Sequence, residues 1–189
     1  MNDMSTGIVA ETAGRPARFT ADEFMQIFDA AAPFDIRLEL AAGGLERMSP
    51  PSDDHSHYQT LIMTRLVRAL GAVADQLLRI EVAVRLSADT VRVPDLLLLR
   101  EPSRVAGARD PDSLLLAVEI AERTLAKDLG VKRDEYARAG IPFYWVVEGA
   151  SAVTYVHARP VDGEYRDIAV VRFQEPLPVP GTDAAITLA

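Results

Sequence analysis

Three side chains in this sequence occupy positions that folding alone explains poorly: Asp95, Glu119 and Lys132. Asp95 follows Pro94 and opens the run Leu96-Leu97-Leu98-Leu99. A carboxylate entering a buried strand is unfavourable unless a metal, a cation or several N–H donors meet it. Glu119 poses the same problem, with Leu114 to Val118 before it and Ile120-Ala121 after. Alternation puts Glu119 on the face of Leu115 and Ala117, opposite Leu116 and Val118. Two acids on successive core strands that share one end of a sheet are the material from which Mg²⁺-type sites are built, with water completing the shell. Lys132 lies about a turn into the next helix, where its charge could steady a phosphate or orient an attacking water. The competing reading pairs each acid with a basic residue or a helix end, and leaves Lys132 as a solvated surface charge.

The elements that must position these groups can be read from the pattern. Residues 1–18 mix small and polar types without period and read as a flexible tail, followed by one folded domain over residues 19–189. Thr20 and Glu23 form a capping-box pattern ahead of Phe24, Ile27, Phe28 and Ala31, and Pro33 closes that helix. Ile36 to Leu40 and Leu45 to Met48 flank Gly43-Gly44 as a β-hairpin. A long helix begins near Asp53 or Asp54, with a buried stripe from Tyr58 through Leu66 to Val73 and Leu77. Ile80 to Leu86 alternates as a half-exposed strand, whereas Val91 to Leu99 and Leu114 to Ala121 read as central strands covered on both faces. Leu125 to Ala139 is helical, with Gly140 as its stop. Phe143 to Val147, Ala152 to His157 and Ile168 to Phe173 are strands, and Pro176, Pro178 and Pro180 lead into an extended tail. The fold class is therefore mixed α/β, with an N-terminal helix and hairpin.

Composition narrows the chemistry. The 189 residues suffice for one domain with a real core. The absence of cysteine excludes disulfides, thiolate metal sites and a cysteine nucleophile. No apolar run approaches the ~20 residues of a membrane span. No basic segment followed by an apolar stretch opens the chain, so cytoplasmic residence is the expectation. Walker, HExxH and serine-elbow patterns are missing. The net charge of -8 weighs against nucleic-acid binding. The stretch Glu119 to Arg138 is locally neutral, with Arg123, Lys127, Lys132, Arg133 and Arg138 against Glu119, Glu122, Asp128, Asp134 and Glu135. His57 and His157 read as surface or packing residues, and Tyr144-Trp145 as core.

Val93-Pro94-Asp95, then Val118-Glu119-Ile120, then Lys132 resembles the PD-(D/E)xK nuclease pattern, with the lysine moved from the strand onto the following helix. The ordered series resembles the Uma-two endonuclease family more closely. Leu38-Glu39-Leu40, Gly44 and Met48-Ser49-Pro50 match its opening hairpin, and His55 its long helix. Asp128-Leu129-Gly130-Val131-Lys132 and Tyr136 through Pro142 match its later helix and the exit from it, and Tyr144-Trp145-Val146-Val147 the next strand. Glu122-Arg123-Thr124 departs from the family's small serine or aspartate residues, and Phe143 stands where an acid is common.

The resemblance implies a restriction-endonuclease-like core, a mixed sheet flanked by helices. It implies Glu39, Asp95 and Glu119 as acidic site and metal residues for Mg²⁺ or Mn²⁺, Lys132 as the catalytic cation, and DNA as substrate. His55 has no assigned role beyond helix-start capping or support of the site. A homodimer would set two sites suitably for cutting duplex DNA. Two other readings stay open: a nuclease-fold binding module without catalysis, and a metal-dependent hydrolase of small phosphate compounds.

Overall fold

The chain's first described turn of helix is set by its own cap. Thr20 Oγ1 accepts the Glu23 N–H, and the Glu23 carboxylate accepts the Thr20 N–H. The computed structural model describes residues 16–189, so most of the expected tail, residues 1–15, lies outside the described residues. Helix α1 (Ala21–Ala31) is followed by β1 (Leu38–Ala41) and β2 (Gly44–Arg47), paired from Leu38↔Arg47 to Ala41↔Gly44. The expected hairpin turn is present, with Ala42 and Gly43 both at positive φ (45° and 79°).

Helix α2 (Asp53–Leu70) starts where the sequence predicts, with Ser52 accepting the His55 N–H. It stops seven residues short of the predicted Leu77. Gly71 adopts φ 61°, Val73 is exposed, and the chain continues through a 3-10 turn (Gly71–Val73) and one α turn, α3 (Ala74–Leu77).

Two predicted strands each divide between two sheets. The run from Ile80 to Leu86 breaks at Glu81 (φ 52°) into β3 (Leu78–Ile80) and β4 (Val84–Ser87). The run from Val91 to Leu99 breaks at Val93-Pro94-Asp95 into β5 (Thr90–Arg92) and β6 (Leu96–Leu99). Proline has no N–H to give a ladder, so the chain leaves one sheet there and enters the other.

The remaining elements are β7 (Leu114–Ala121), α4 (Leu125–Lys127), α5 (Arg133–Arg138), β8 (Phe143–Glu148), β9 (Val153–Val161), β10 (Glu164–Arg172), β11 (Leu177–Pro178) and β12 (Ala185–Ile186). The large sheet has the order β10-β9-β8-β7-β6-β3 and is antiparallel except for β7/β8. The small sheet has the order β2-β1-β5-β4. Instead of an extended tail, β11 and β12 form a short hairpin with Leu177, Val179, Ile186 and Leu188 buried.

Three apolar clusters hold these layers together. On one face of the large sheet, α2 and the C-terminal hairpin bury Leu96, Leu116, Val118 and Trp145 with Ile62 and Leu66. On the other face Tyr136 and Ala137 of α5 and Val84 cover Leu97, Ala117 and Tyr144. The small sheet closes on α1 through Phe24, Leu40, Val91 and Val93. Ala117 shares the Glu119 face as predicted. Leu115 does not, because it packs with the α2-side cluster next to a register shift in β6/β7. Among the described residues, no helix is long and apolar enough to cross a membrane.

Candidate active site

The break between β5 and β6 puts Asp95 at the entrance of β6. The β6/β7 register pairs Leu96 with Val118 and Leu97 with Ala117, so the next pair outward is Asp95 opposite Glu119. Asp95 Oδ2 accepts the Ile120 N–H at 2.7 Å, extending the ladder by a side chain. Its Oδ1 lies 3.1 Å from His55 Nε2, and the Gln59 amide reaches the Asp95 carbonyl. His55, a residue without an assigned role in the sequence pattern, is thus brought from the first turn of α2 onto the acid. The carboxylate raises the imidazole pKa above its ordinary value against the opposing effect of burial.

Glu119 and Glu39 converge on Lys132. Its Nζ lies 2.9 Å from Glu119 Oε1, 3.1 Å from Glu39 Oε1 and 3.9 Å from Asp128 Oδ1. The four groups are nearly dry, at 2% (Glu39), 4% (Asp95), 5% (Glu119) and 6% (Lys132) exposure. Lys132 therefore is not a surface charge. The local chain explains its direction: between α4 and α5 the segment Asp128–Lys132 forms a wide π-type turn, and Gly130 leaves the helical track at φ −111°, ψ −105°. The predicted continuous helix over Leu125 to Ala139 is interrupted there. The interruption turns Lys132 inward beside Tyr136, whose hydroxyl donates to Glu119 Oε1 at 2.9 Å.

Burial pushes the Glu119 carboxyl up to about 8; Lys132 opposes this, while Asp95, Asp128 and Glu39 reinforce it. Lys132 shows the complementary effect. Burial alone would favour loss of its proton, but Glu119, Glu39 and Asp128 hold its pKa above the ordinary lysine value. Glu39 is also buried, yet Lys132, Arg92 and the Val93 N–H bring its pKa below the usual range.

Sequence reasoning misses several groups in the same cluster. Arg92, fully buried, donates to Glu39 Oε2 (3.0 Å), Glu46 Oε2 (2.7 Å) and both oxygens of Glu135 (2.7 and 3.1 Å). Lys127 donates to Glu46 Oε2 at 2.6 Å. The available signal is an arginine enclosed by Val91 and Val93, a charge in an apolar run that needs partners as much as Asp95 does. Glu122, where the chain departs from the family pattern, is bonded to Ser52 Oγ at the start of α2.

These groups open onto a cleft of about 470 Å³, lined by Asp95, Glu119, Lys132, His55 and Glu39, with Arg37, Arg123 and Lys127 among the basic side chains at its walls. Among the described residues, no three His, Asp or Glu side chains stand ready as a metal cage. Glu39 explains part of this, because both its oxygens are engaged by Arg92, the Val93 N–H and Lys132.

The comparisons agree with this architecture. Similarity to a crystal structure of a putative nuclease belonging to DUF820 from Anabaena variabilis ATCC 29413 extends over 90% of this chain and 95% of that one, with TM-score 0.66 and 16% identity. At that identity the likeness establishes the fold, which is restriction-endonuclease-like. Curated proteins yield no significant match. The sequence pattern of the Uma2 family, described as putative restriction endonuclease, matches residues 21–189, and the chain belongs to that family.

Proposed function

We propose that the protein is a divalent-metal-dependent endonuclease that hydrolyses phosphodiester bonds of DNA. The observation that carries this reading is the buried Asp95–Glu119 pair lining a cleft, with a buried lysine ammonium 2.9 Å from Glu119. An all-oxygen donor set suits a hard cation, Mg²⁺ or Mn²⁺, with water completing the shell. Asp95 and Glu119 would hold it. Glu39 fits a supporting role, since its oxygens already fix Lys132 and Arg92. A bound cation would polarise the scissile phosphate and acidify water.

The chain's own groups supply the rest. Lys132 stays protonated in its acidic surround and offers a fixed charge to the phosphate oxygens. His55 and the Ile120 N–H orient the Asp95 carboxylate. Arg37, Arg123 and Lys127 at the cleft walls offset the acidic body locally for an incoming strand.

Calorimetric titration of Mn²⁺ and Mg²⁺, alongside cleavage of supercoiled plasmid and single-stranded DNA, tests the reading. Asp95→Asn is expected to lose metal binding. Lys132→Met is expected to retain binding and to lose about 10²–10³-fold in cleavage rate, the scale for removal of one group stabilising transition-state charge. The lack of a ready three-ligand cage among the described residues favours a second reading, a binding module without catalysis. Metal binding without cleavage of either substrate would select it.

A further inference from the structure

The large sheet ends at β3 on the side away from β10, and a cavity of about 440 Å³ lies against that edge. Its charged lining is Arg79 of β3, Arg104 and Arg109 of the loop after β6, and Asp75 of α3. Val82 and Val105 complete the wall. None of these residues belongs to the acidic cleft.

The arginines are arranged in an uncommon way. Nη2 of Arg79 and Nη2 of Arg109 both donate to the Ser103 carbonyl, each at 2.9 Å. Arg109 also donates to Ser103 Oγ, and Arg79 Nη1 to the carbonyls of Leu78 and Asp75. Every acceptor found among the described residues is a carbonyl or a hydroxyl, and none is a carboxylate. This occurs in a chain with 28 acidic and 20 basic residues, where a carboxylate partner should be easy to find.

Arg109 is 4% exposed, Arg79 half-buried and Arg104 exposed, so positive charge runs from the solvent into the wall. Two guanidiniums on one carbonyl repel each other, and neutral dipoles only partly offset the cost of burying such a charge. The proximity of Arg79 adds to burial in opposing the Arg109 charge. A multivalent oxygen anion would relieve both effects, and forked N–H donors match phosphate oxygens in geometry.

We propose that the Arg79–Arg104–Arg109 cavity binds a phosphate oxyanion, as a site separate from the acidic cleft. It does not depend on the nuclease reading, since it involves none of the metal-holding or catalytic groups. The phosphate can arrive free or as part of a nucleic-acid backbone, and the experiment separates these sources.

Inorganic phosphate is titrated calorimetrically into the full chain in chloride buffer with EDTA, which also prevents turnover in the duplex arm. Arg104→Gln is the informative variant, because Arg104 is exposed and has no hydrogen-bond partner among the described residues. The expected result is saturable binding to the unaltered chain, weakened about tenfold by Arg104→Gln, the scale of one charge-assisted hydrogen bond. Asp75→Asn removes the carboxylate of the lining and is expected to tighten binding by about threefold, a sign that misfolding would not produce.

The second arm measures affinity for a short duplex against salt concentration. A slope smaller by about 0.9 in Arg104→Gln assigns the site to a strand phosphate. An unchanged slope, with phosphate binding still weakened, assigns it to the free anion. Absence of saturable phosphate binding, or equal affinity in all three proteins, overturns the proposal.

Discussion

Strand β7 presents two faces to opposite environments. Towards α2, Leu116, Val118 and Ile120 meet Ile62, Leu66, Trp145 and Val147, and contact is apolar except for the buried Trp145 indole N–H, which finds no partner among the described residues. On the reverse face, Ala117 packs among Leu97, Tyr136 and Tyr144, and two residues later Glu119 stands against Lys132 and Tyr136. Backbone, burial and neighbouring strands are shared, so the difference is purely one of side-chain chemistry. The first face stabilises the fold in proportion to the area it removes from water. The second holds charges in a dry place, where each depends on a partner and little net stability results.

That contrast can be broken at its weakest joint. Arg92→Met should leave Glu39 and Glu135 buried beside an apolar chain, lowering unfolding stability by about 3–5 kcal/mol in urea titration. Leu116→Ala acts on the hydrocarbon face and should cost about 2–5 kcal/mol, with metal affinity of the cleft unchanged. Equal losses of metal affinity in both variants would refute the separation of the faces. Glu119→Gln keeps the shape and the Tyr136 contact, and should shift stability by no more than about 1 kcal/mol while removing metal binding.

The smallest effect is pH-dependent and lies away from the cleft. His157 is buried against Tyr144 and Tyr165, and burial lowers its pKa below the ordinary histidine value of 6.5. The unfolded chain then binds the proton more readily than the folded one. Its contribution is therefore full above pH 6.5 and is lost as pH falls from there through the lower folded value. His157→Phe should flatten the stability curve across that window, measured as Tm against pH; a curve that keeps its slope would exclude His157 as the source.

The hydrocarbon face is legible in the sequence because its signal is continuous: Leu114 to Ala121 and Phe143 to Val147 could hardly be anything but central strands. The charged face is legible only where an acid interrupts such a run, which is why Asp95 and Glu119 stand out and Glu39 needs the family resemblance. Arg92 carries the same signal but merges into a strand pattern. The two divided strands share one physical origin. Val91 to Leu99 and Ile80 to Leu86 look like single strands by hydropathy, yet a sheet change is encoded by backbone features, Pro94 in one and the positive φ of Glu81 in the other. Alternating Leu177 and Val179 are likewise hidden by prolines that flank a short hairpin.

The three residues Val93-Pro94-Asp95 carry the chain from the small sheet to the large one without slack. One added residue would invert the alternation of everything after it, turning Asp95 into hydrocarbon and a leucine into the cleft. An insertion at the exposed Asp162 turn between β9 and β10 has no such effect, because it lengthens a hairpin beyond its last pair. Length variation in this protein is thus forbidden at this link between its two sheets and permitted at its periphery, and the forbidden link is the one that aligns an acid of each strand.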